Sequence, residues 1–194
     1  MLYRQLSTLV RLFMVKANFE YLLAYKITVP IYDYTIDFCR KYIPRTSRTN
    51  DQMVQAARSG MQNIAEGAKG QSLKSYIKLA GVARGSLEEL LGDYKSYARH
   101  NKLEIWNKEK AKSEISEIGA IRKIINEPTL PNQPNFPDLP NNKTKGINLL
   151  ITLLNQANYL IDKLITSLHM KHQKEGGLTE NLYKNRMLYK KNHS

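Results

Sequence analysis

Residues 72–100 read SLKSYIKLAGVARGSLEELLGDYKSYARH and carry a clear helical pattern. Apolar or small residues recur at alternating steps of four and three: Tyr76, Ala80, Ala83, Leu87, Leu90 and Tyr94. This heptad spacing is typical of a helix that packs along its length on other helices. Ser72 is a good N-cap, so the pattern predicts a helix from there to about His100. Arg84 and Glu88 lie one turn apart and are predicted to pair on its surface.

The preceding segments repeat the helical period. A helix is predicted over residues 18–42, and Pro30 is expected to kink or split it because proline lacks a backbone donor. A second helix is predicted over 51–66, ended by Gly67, since glycine commonly follows a helix C-terminus. The segment between these helices is polar and basic.

Two more helices are predicted downstream, over 104–126 and over 145–174, and the latter is apolar on more than one side. Between them, prolines stand at every third position from Pro128 to Pro140, which is the polyproline II period. Thirteen such residues reach about 40 Å, slightly more than a 23-residue helix of about 35 Å. The strap is therefore expected to be a crossover along the bundle rather than a ligand for an SH3-like domain.

The predicted fold class is all-α, because no strand pattern competes. Its architecture is expected to be an antiparallel four-helix bundle with an extra C-terminal helix after the proline-rich crossover. The predicted organisation is an N-terminal helical extension 1–18, a bundle core 19–127, a strap 128–142, and a suffix helix with basic tail 143–194.

Charge is the unusual feature of the composition. The chain has 194 residues, with 30 Lys and Arg against 17 Asp and Glu, a net charge of +13. Such an excess favours a polyanionic partner, either nucleic acid or an anionic membrane surface. The single cysteine, Cys39, excludes a disulfide within the chain and any multi-cysteine zinc site.

The first residues resemble a signal peptide only superficially. Arg11 and Lys16 interrupt the apolar run, which argues against a signal peptide. A helix bearing Leu2 and Phe13 on one face is expected to pack on its own protein; an interfacial membrane helix and a translation start at Met14 are the alternatives. The expected location is the cytoplasm, with no membrane partner.

Catalytic and metal-binding patterns are weak. His169 and His172 share a helical face but have no carboxylate at helical spacing, so they are interpreted as solvated. Cys39 lies on an apolar stripe and is interpreted as an inert core thiol. Glu88 and Glu89 are adjacent and point about 100° apart on a helix, so they cannot flank one bond. No catalytic residue, metal or cofactor is predicted, and the protein is not expected to be an enzyme.

Basic residues cluster around the second predicted helix. Seven cations lie between Arg45 and Arg84, against only Asp51 and Glu66. Twelve tyrosines are available for base stacking. The alternative for any single lysine is an ordinary solvated face, but the summed charge exceeds what solubility needs. The predicted nucleic-acid-binding residues are Arg45, Arg48, Arg58, Lys69, Lys74, Lys78, Lys190 and Lys191.

Two stretches carry a family resemblance: residues 51–67, DQMVQAARSGMQNIAEG, and residues 82–91, VARGSLEELL. The chain from about 19 to 125 resembles the bacterial four-helix-bundle proteins encoded in intervening sequences of large-subunit ribosomal RNA genes. That family includes the accessory variability determinant of diversity-generating retroelements. The strap, the fifth helix and the tail resemble a longer branch that has a four-helix-bundle suffix domain.

The resemblance implies a homopentameric barrel that binds nucleic acid and a reverse transcriptase. Together with the charge, it predicts a non-catalytic oligomer that binds RNA or DNA, as an accessory to a nucleic-acid-processing partner. The alternative from another class is a structural homo-oligomer or protein-interaction scaffold whose charge matches an acidic protein.

Overall fold

The computed structural model describes residues 22–70, 72–131 and 133–193, so the predicted extension 1–18 lies outside the described residues. Regular structure in the described part is entirely helical, which confirms the all-α prediction. The helices are α1 (Leu23–Lys26), α2 (Thr28–Tyr42), α3 (Arg48–Lys69), α4 (Leu73–His100), α5 (Lys108–Glu114), α6 (Glu117–Asn126), α7 (Lys143–Glu175) and α8 (Leu178–Asn192).

The first predicted helix is split, but not at its proline. A single residue, Ile27, separates α1 from α2. Pro30 is the third residue of α2 and is buried. The first N–H groups of a helix have no partner inside it, so proline costs no hydrogen bond there. The break therefore falls three residues before Pro30.

Helices α3 and α4 form a hairpin. Helix α3 is longer than the predicted helix 51–66 at both ends. Ser47 and Ser72 cap them by accepting hydrogen bonds from Thr49 N at 3.3 Å and Ser75 N at 3.4 Å. The prediction that Gly67 ends the helix is wrong, because α3 continues to Lys69. Gly67 is buried, and a Cβ built on it would overlap the ring of Tyr76. This glycine serves close packing.

The prediction of one continuous helix over 104–126 is also wrong. Lys102 takes a left-handed conformation, with φ of 54°, at the end of α4. Asn148 of α7 then binds the extended backbone that follows: it accepts from Trp106 N at 2.7 Å and donates to Glu104 O at 2.9 Å. A second break at Ile115 separates α5 from α6. Side-chain hydrogen bonds thus replace helical ones over this segment.

Helix α7 runs antiparallel to α4. Arg84 Nε donates to Asp162 at 3.1 Å, and Asn158 donates to Glu88 at 3.0 Å, so rising numbers on α4 meet falling numbers on α7. Helix α7 also contacts α2, and α3 contacts both α2 and α4. The four long helices therefore surround one core, which explains why α7 is apolar on several sides. Buried α7 residues include Ile147, Leu149, Leu150, Leu153, Leu154 and Ile161.

The proline-rich strap runs along α2. Near the start of α2, buried Lys26 donates to the carbonyls of Glu127 and Pro128. Midway, the Tyr34 hydroxyl donates to the Pro137 carbonyl at 2.6 Å. At the end of α2, the Tyr42 hydroxyl donates to the Asn141 carbonyl at 2.9 Å. The strap thus carries the chain back to the start of α7.

Candidate nucleic-acid interface

Small residues bring α3 and α4 together and leave their charged residues outside. Ser59 and Ser86 hydroxyls are 2.9 Å apart, and Gly60 lies directly against Leu87. Helix α3 also contacts α2, and α4 also contacts α7, so only the remaining side of each helix meets solvent. The predicted binding residues of the hairpin are all exposed: Arg48, Arg58, Lys69, Lys74 and Lys78. Arg45, in the preceding loop, is exposed as well.

The hairpin divides these residues between its two ends. Arg45 and Arg48 lie at the start of α3, whereas Lys69, Lys74 and Lys78 surround the turn between α3 and α4. The 21-residue rise from Arg48 to Lys69 separates the ends by about 30 Å. The structure therefore does not gather the six into one compact patch. Lys69, Lys74 and Lys78 are called the turn cluster below.

Arg58 connects the two ends. It lies eleven residues before Lys69 on α3. Eleven residues make three full helical turns plus a rotation of about 20° around the helix axis. Both side chains therefore project in nearly the same direction from the exposed face. Acidic Asp51 and Glu66 are exposed on the same helix, so the outer side of α3 has mixed charge. Glu66, one turn before Lys69, brings a carboxylate close to the turn cluster.

The candidate cations of the hairpin differ from Arg84 in their partners. In the described part of the chain, no ion pair involves Arg45, Arg48, Arg58, Lys74 or Lys78. Arg84 instead pairs with Glu88 at 2.7 Å, as predicted, and with Asp162 at 3.1 Å. Burial lowers the pKa of Arg84, but its hydrogen bonds to these carboxylates outweigh that effect and raise it. Arg84 therefore joins α4 to α7, and the two carboxylates compensate its charge.

The end of α7 brings further cations to the turn cluster. The antiparallel register of α4 and α7 places Lys78 level with Leu168 and Lys74 level with His172. The last turns of α7 therefore lie beside the start of α4. They add exposed Lys171 and Lys174, of which Lys171 has a weak contact of 3.9 Å to Glu175. Sequence reasoning missed this neighbourhood, because only the helix register reveals it.

Helix α8 begins just after that end of α7. Gly176, with φ of 76°, ends α7, and Gly177 N donates to Glu180 at 3.0 Å at the start of α8. Predicted Lys190 and Lys191 lie on α8 and are exposed, with Lys184 and Arg186 on the same helix. The predicted basic tail is therefore a regular helix.

The other end of the hairpin has a cleft of about 340 Å³. Pro44 and Ser47, the sequence neighbours of Arg45 and Arg48, line it together with Asp93. Burial, and then the charge of Glu89, raise the pKa of Asp93. This carboxylate makes that end of the hairpin less favourable to a polyanion.

Four carboxylates lie around Tyr34, whose hydroxyl joins α2 to the strap. Burial raises the pKa of Tyr34 above its usual range, and four neighbouring carboxylates add to the effect. They are Asp33, Glu117, Asp138 and Asp37.

Few of the described tyrosines are exposed enough to stack on a base. Among the described tyrosines, only Tyr159, Tyr183 and Tyr189 are largely exposed, at 61%, 65% and 65%. Tyr34 and Tyr94 are core residues, and Tyr94 donates to Thr35 at 3.0 Å.

The described residues offer few candidates for a catalytic group or a metal ligand. Cys39 is 1% exposed, and burial, aided by Asp93, raises the pKa of its thiol to about 12, as fits a core thiol. No group of three or more His, Cys, Asp or Glu residues that could hold a metal ion occurs over 22–70, 72–131 and 133–193. Within the same residues, no helix is long and apolar enough to cross a bilayer.

These features define an all-helical protein with a basic surface on a small-residue helical hairpin. Residues 20–127 match the family described as 23S rRNA-intervening sequence protein. The match covers more than half of the chain, and the protein belongs to this family. No curated protein matches the chain, and neither does any solved structure. The matched residues include α1 to α6, so α7 and α8 lie beyond them.

Proposed function

We propose that this protein is a non-catalytic, oligomeric nucleic-acid-binding protein. The observation that carries the proposal is the turn cluster, three exposed lysines at the same end of the molecule as the basic end of α7. Exposed cations bind phosphates and release counterions, whatever the base sequence. RNA and DNA are both suitable ligands by this chemistry.

The start of α4 strengthens this end as a phosphate site. Its first turn contains no acidic residue, and Lys74 and Lys78 lie on its first two turns. Backbone N–H groups at a helix start favour anions, which supplements the lysine charges. Arg58 and Arg48 continue a weaker basic path along α3. That path of about 30 Å corresponds to about nine base pairs of duplex.

The proposed architecture is an antiparallel four-helix bundle formed by α2, α3, α4 and α7. Helix α7 is antiparallel to α4 through the Arg84–Asp162 contact, and short connections join α2 to α3 and α3 to α4. Neighbouring helices with short connections are typically antiparallel. In this interpretation α7 takes the place assigned to residues 104–126 by the sequence.

The outer face of α4 supports self-association. Gly81, Gly85 and Gly92 fall on one side of α4, and nothing lies within 4 Å of a Cβ built on any of them. Val82 beside them is 45% exposed. A second copy could approach this flat surface closely. Five copies are the number implied by the family resemblance, and a ring would multiply the charge of +13.

The proposed biological role is that of a cytoplasmic accessory to a reverse transcriptase or another nucleic-acid-processing enzyme. It rests on the resemblance to the retroelement branch of the family. The rival role is a structural homo-oligomer or protein scaffold, which the open glycine face of α4 favours equally. Only the first role requires affinity for polyanions.

Light scattering on nuclease-treated protein, with and without structured RNA at two salt concentrations, separates these roles. The proposal expects a discrete oligomer whose mass rises with RNA at low salt and returns when salt is raised. A discrete oligomer whose mass does not respond to RNA or DNA would reject nucleic-acid binding and leave the scaffold.

A further inference from the structure

Helix α8 presents its apolar side chains to solvent. None of its residues is buried, and it exposes Leu178, Leu182, Tyr183, Met187, Leu188 and Tyr189 by 45% to 65%. It also carries four cations, Lys184, Arg186, Lys190 and Lys191, against the single acid Glu180. Contiguous exposed apolar surface of this kind marks an interaction site.

We propose that α8 binds single-stranded nucleic acid, with bases stacked on Tyr183 and Tyr189 and phosphates bound by the surrounding cations. The proposal rests on the proposed function and adds to it the binding element and the strandedness of the ligand. Helix α8 lies beyond residues 20–127, so the family match does not cover it.

The distribution of tyrosines points to α8. Two of the three largely exposed tyrosines in the described residues belong to this helix. The third, Tyr159 on α7, has the ammonium of Lys163 over its ring at 5.4 Å. Tyr189 stacks in near-parallel geometry on His193, with centroids 4.1 Å apart. One stacked partner engages one face of a ring, so the other face of Tyr189 can take a base.

The surface beside Tyr183 has the layout that single strands require. Met187 and Leu188 form an apolar floor next to the ring, and Lys184, Lys190 and Lys191 line the same open groove. Sequence-tolerant single-strand sites combine stacking surfaces with cations that follow the backbone. A duplex keeps its base faces inside, so it would meet the lysines but leave the rings and the apolar floor unused.

The spacing of the two rings also favours a flexible strand. Tyr183 and Tyr189 are six residues apart, which separates them by about 9 Å along the helix and about 120° around it. A single strand can bend around α8 to place separate bases on both rings, whereas a stiff duplex cannot.

The test compares two tyrosine variants of the full-length chain. Tyr183→Leu with Tyr189→Leu removes both rings, keeps the charge and does not lower the helical propensity. Tyr159→Leu is the matched control, since it removes an equally exposed ring outside α8. Fluorescence anisotropy would measure affinity for an unstructured 12-nucleotide RNA and for a 12-base-pair RNA duplex, each at several salt concentrations.

The proposal expects the double variant to bind the single strand at least about tenfold more weakly, with an unchanged salt slope and unchanged duplex affinity. The control should bind both like the wild type. If the double variant binds the single strand as tightly as the wild type does, the α8 proposal is overturned while the proposed function stays intact. A lowered mass of the free oligomer with unchanged affinity would overturn it in favour of a contact between copies. Absence of binding by the wild type would overturn both.

Discussion

Asn158 of α7 donates a 3.0 Å hydrogen bond to Glu88 of α4, and the same carboxylate oxygen accepts from Arg84 at 2.7 Å. Arg84 reaches back to α7 through Asp162. This network joins a helix inside the family match to one beyond it. It also sets the register that brings the end of α7 beside the turn cluster.

Loss of Arg84 should destabilise the protein more than loss of an exposed arginine. Its side chain is 29% exposed and pairs with two carboxylates, so Arg84→Gln is expected to lower the free energy of unfolding by about 1 kcal/mol. Arg40→Gln is the control, because Arg40 is 70% exposed and 3.8 Å from Asp37. Urea unfolding of both variants measures the difference, and equal losses would contradict a structural role for the network.

Two glycines of the hairpin should respond oppositely to alanine. A Cβ at Gly60 would overlap Leu87, so Gly60→Ala is expected to cost about 1–3 kcal/mol through overpacking. Nothing lies within 4 Å of a Cβ at Gly85, so Gly85→Ala should stabilise α4 by about 0.5–1 kcal/mol through helical propensity. Thermal and urea unfolding check both signs. If Gly85→Ala instead lowers the oligomer's mass, another copy covers that face.

The thiol of Cys39 should make stability fall at alkaline pH. Burial raises its pKa to about 12 in the folded protein, against about 8.5 when unfolded. The stabilisation is complete below about pH 8.5 and is lost as pH rises toward 12, by at most about 1.4 kcal/mol per pH unit. Cys39→Ala should flatten this decline between pH 8.5 and 10.5 in urea unfolding. Identical slopes in the two proteins would contradict the burial of the thiol.

Tyr76 and Tyr94 should respond differently to loss of their hydroxyls. Among the described residues the buried Tyr76 hydroxyl has no hydrogen-bond partner, whereas that of Tyr94 donates to Thr35 at 3.0 Å. Tyr76→Phe keeps the ring against Gly67 and should stabilise the fold by about 1 kcal/mol. Tyr94→Phe should destabilise it by a similar amount. Matching signs in denaturant unfolding would show that Tyr76 has a partner after all.

Helical periodicity predicted the long helices well because their packing follows local pattern. Helix α4 begins at its Ser72 cap as expected, and α7 extends the predicted range by one or two residues at each end. The failures have tertiary causes. Residues 104–106 satisfy their backbone with Asn148, which is more than forty positions away. Lys102 adopts a left-handed φ without being a glycine. Neither event has a local sequence signal.

The candidate site was predictable in its residue types but not in its arrangement. Counting charges indicates one basic segment from Arg45 to Arg84, yet the length of α3 places Arg48 and Lys69 about 30 Å apart. The nearness of Lys74 to the end of α7 depends on helix register, and so does the compensation of Arg84 by Asp162. Exposure of Tyr183 and Tyr189 likewise depends on α8 having no buried residue.

The most direct test of the central claim is a salt titration of duplex DNA binding by two triple variants. Lys69→Gln with Lys74→Gln and Lys78→Gln removes the turn cluster. Lys95→Gln with Lys108→Gln and Lys112→Gln removes the same charge from exposed lysines elsewhere. If the cluster contacts phosphates, the first variant binds more weakly and its slope of log affinity against log salt is shallower by about 2–3, while the second keeps a nearly wild-type slope. Equal slopes in the two variants would contradict the account.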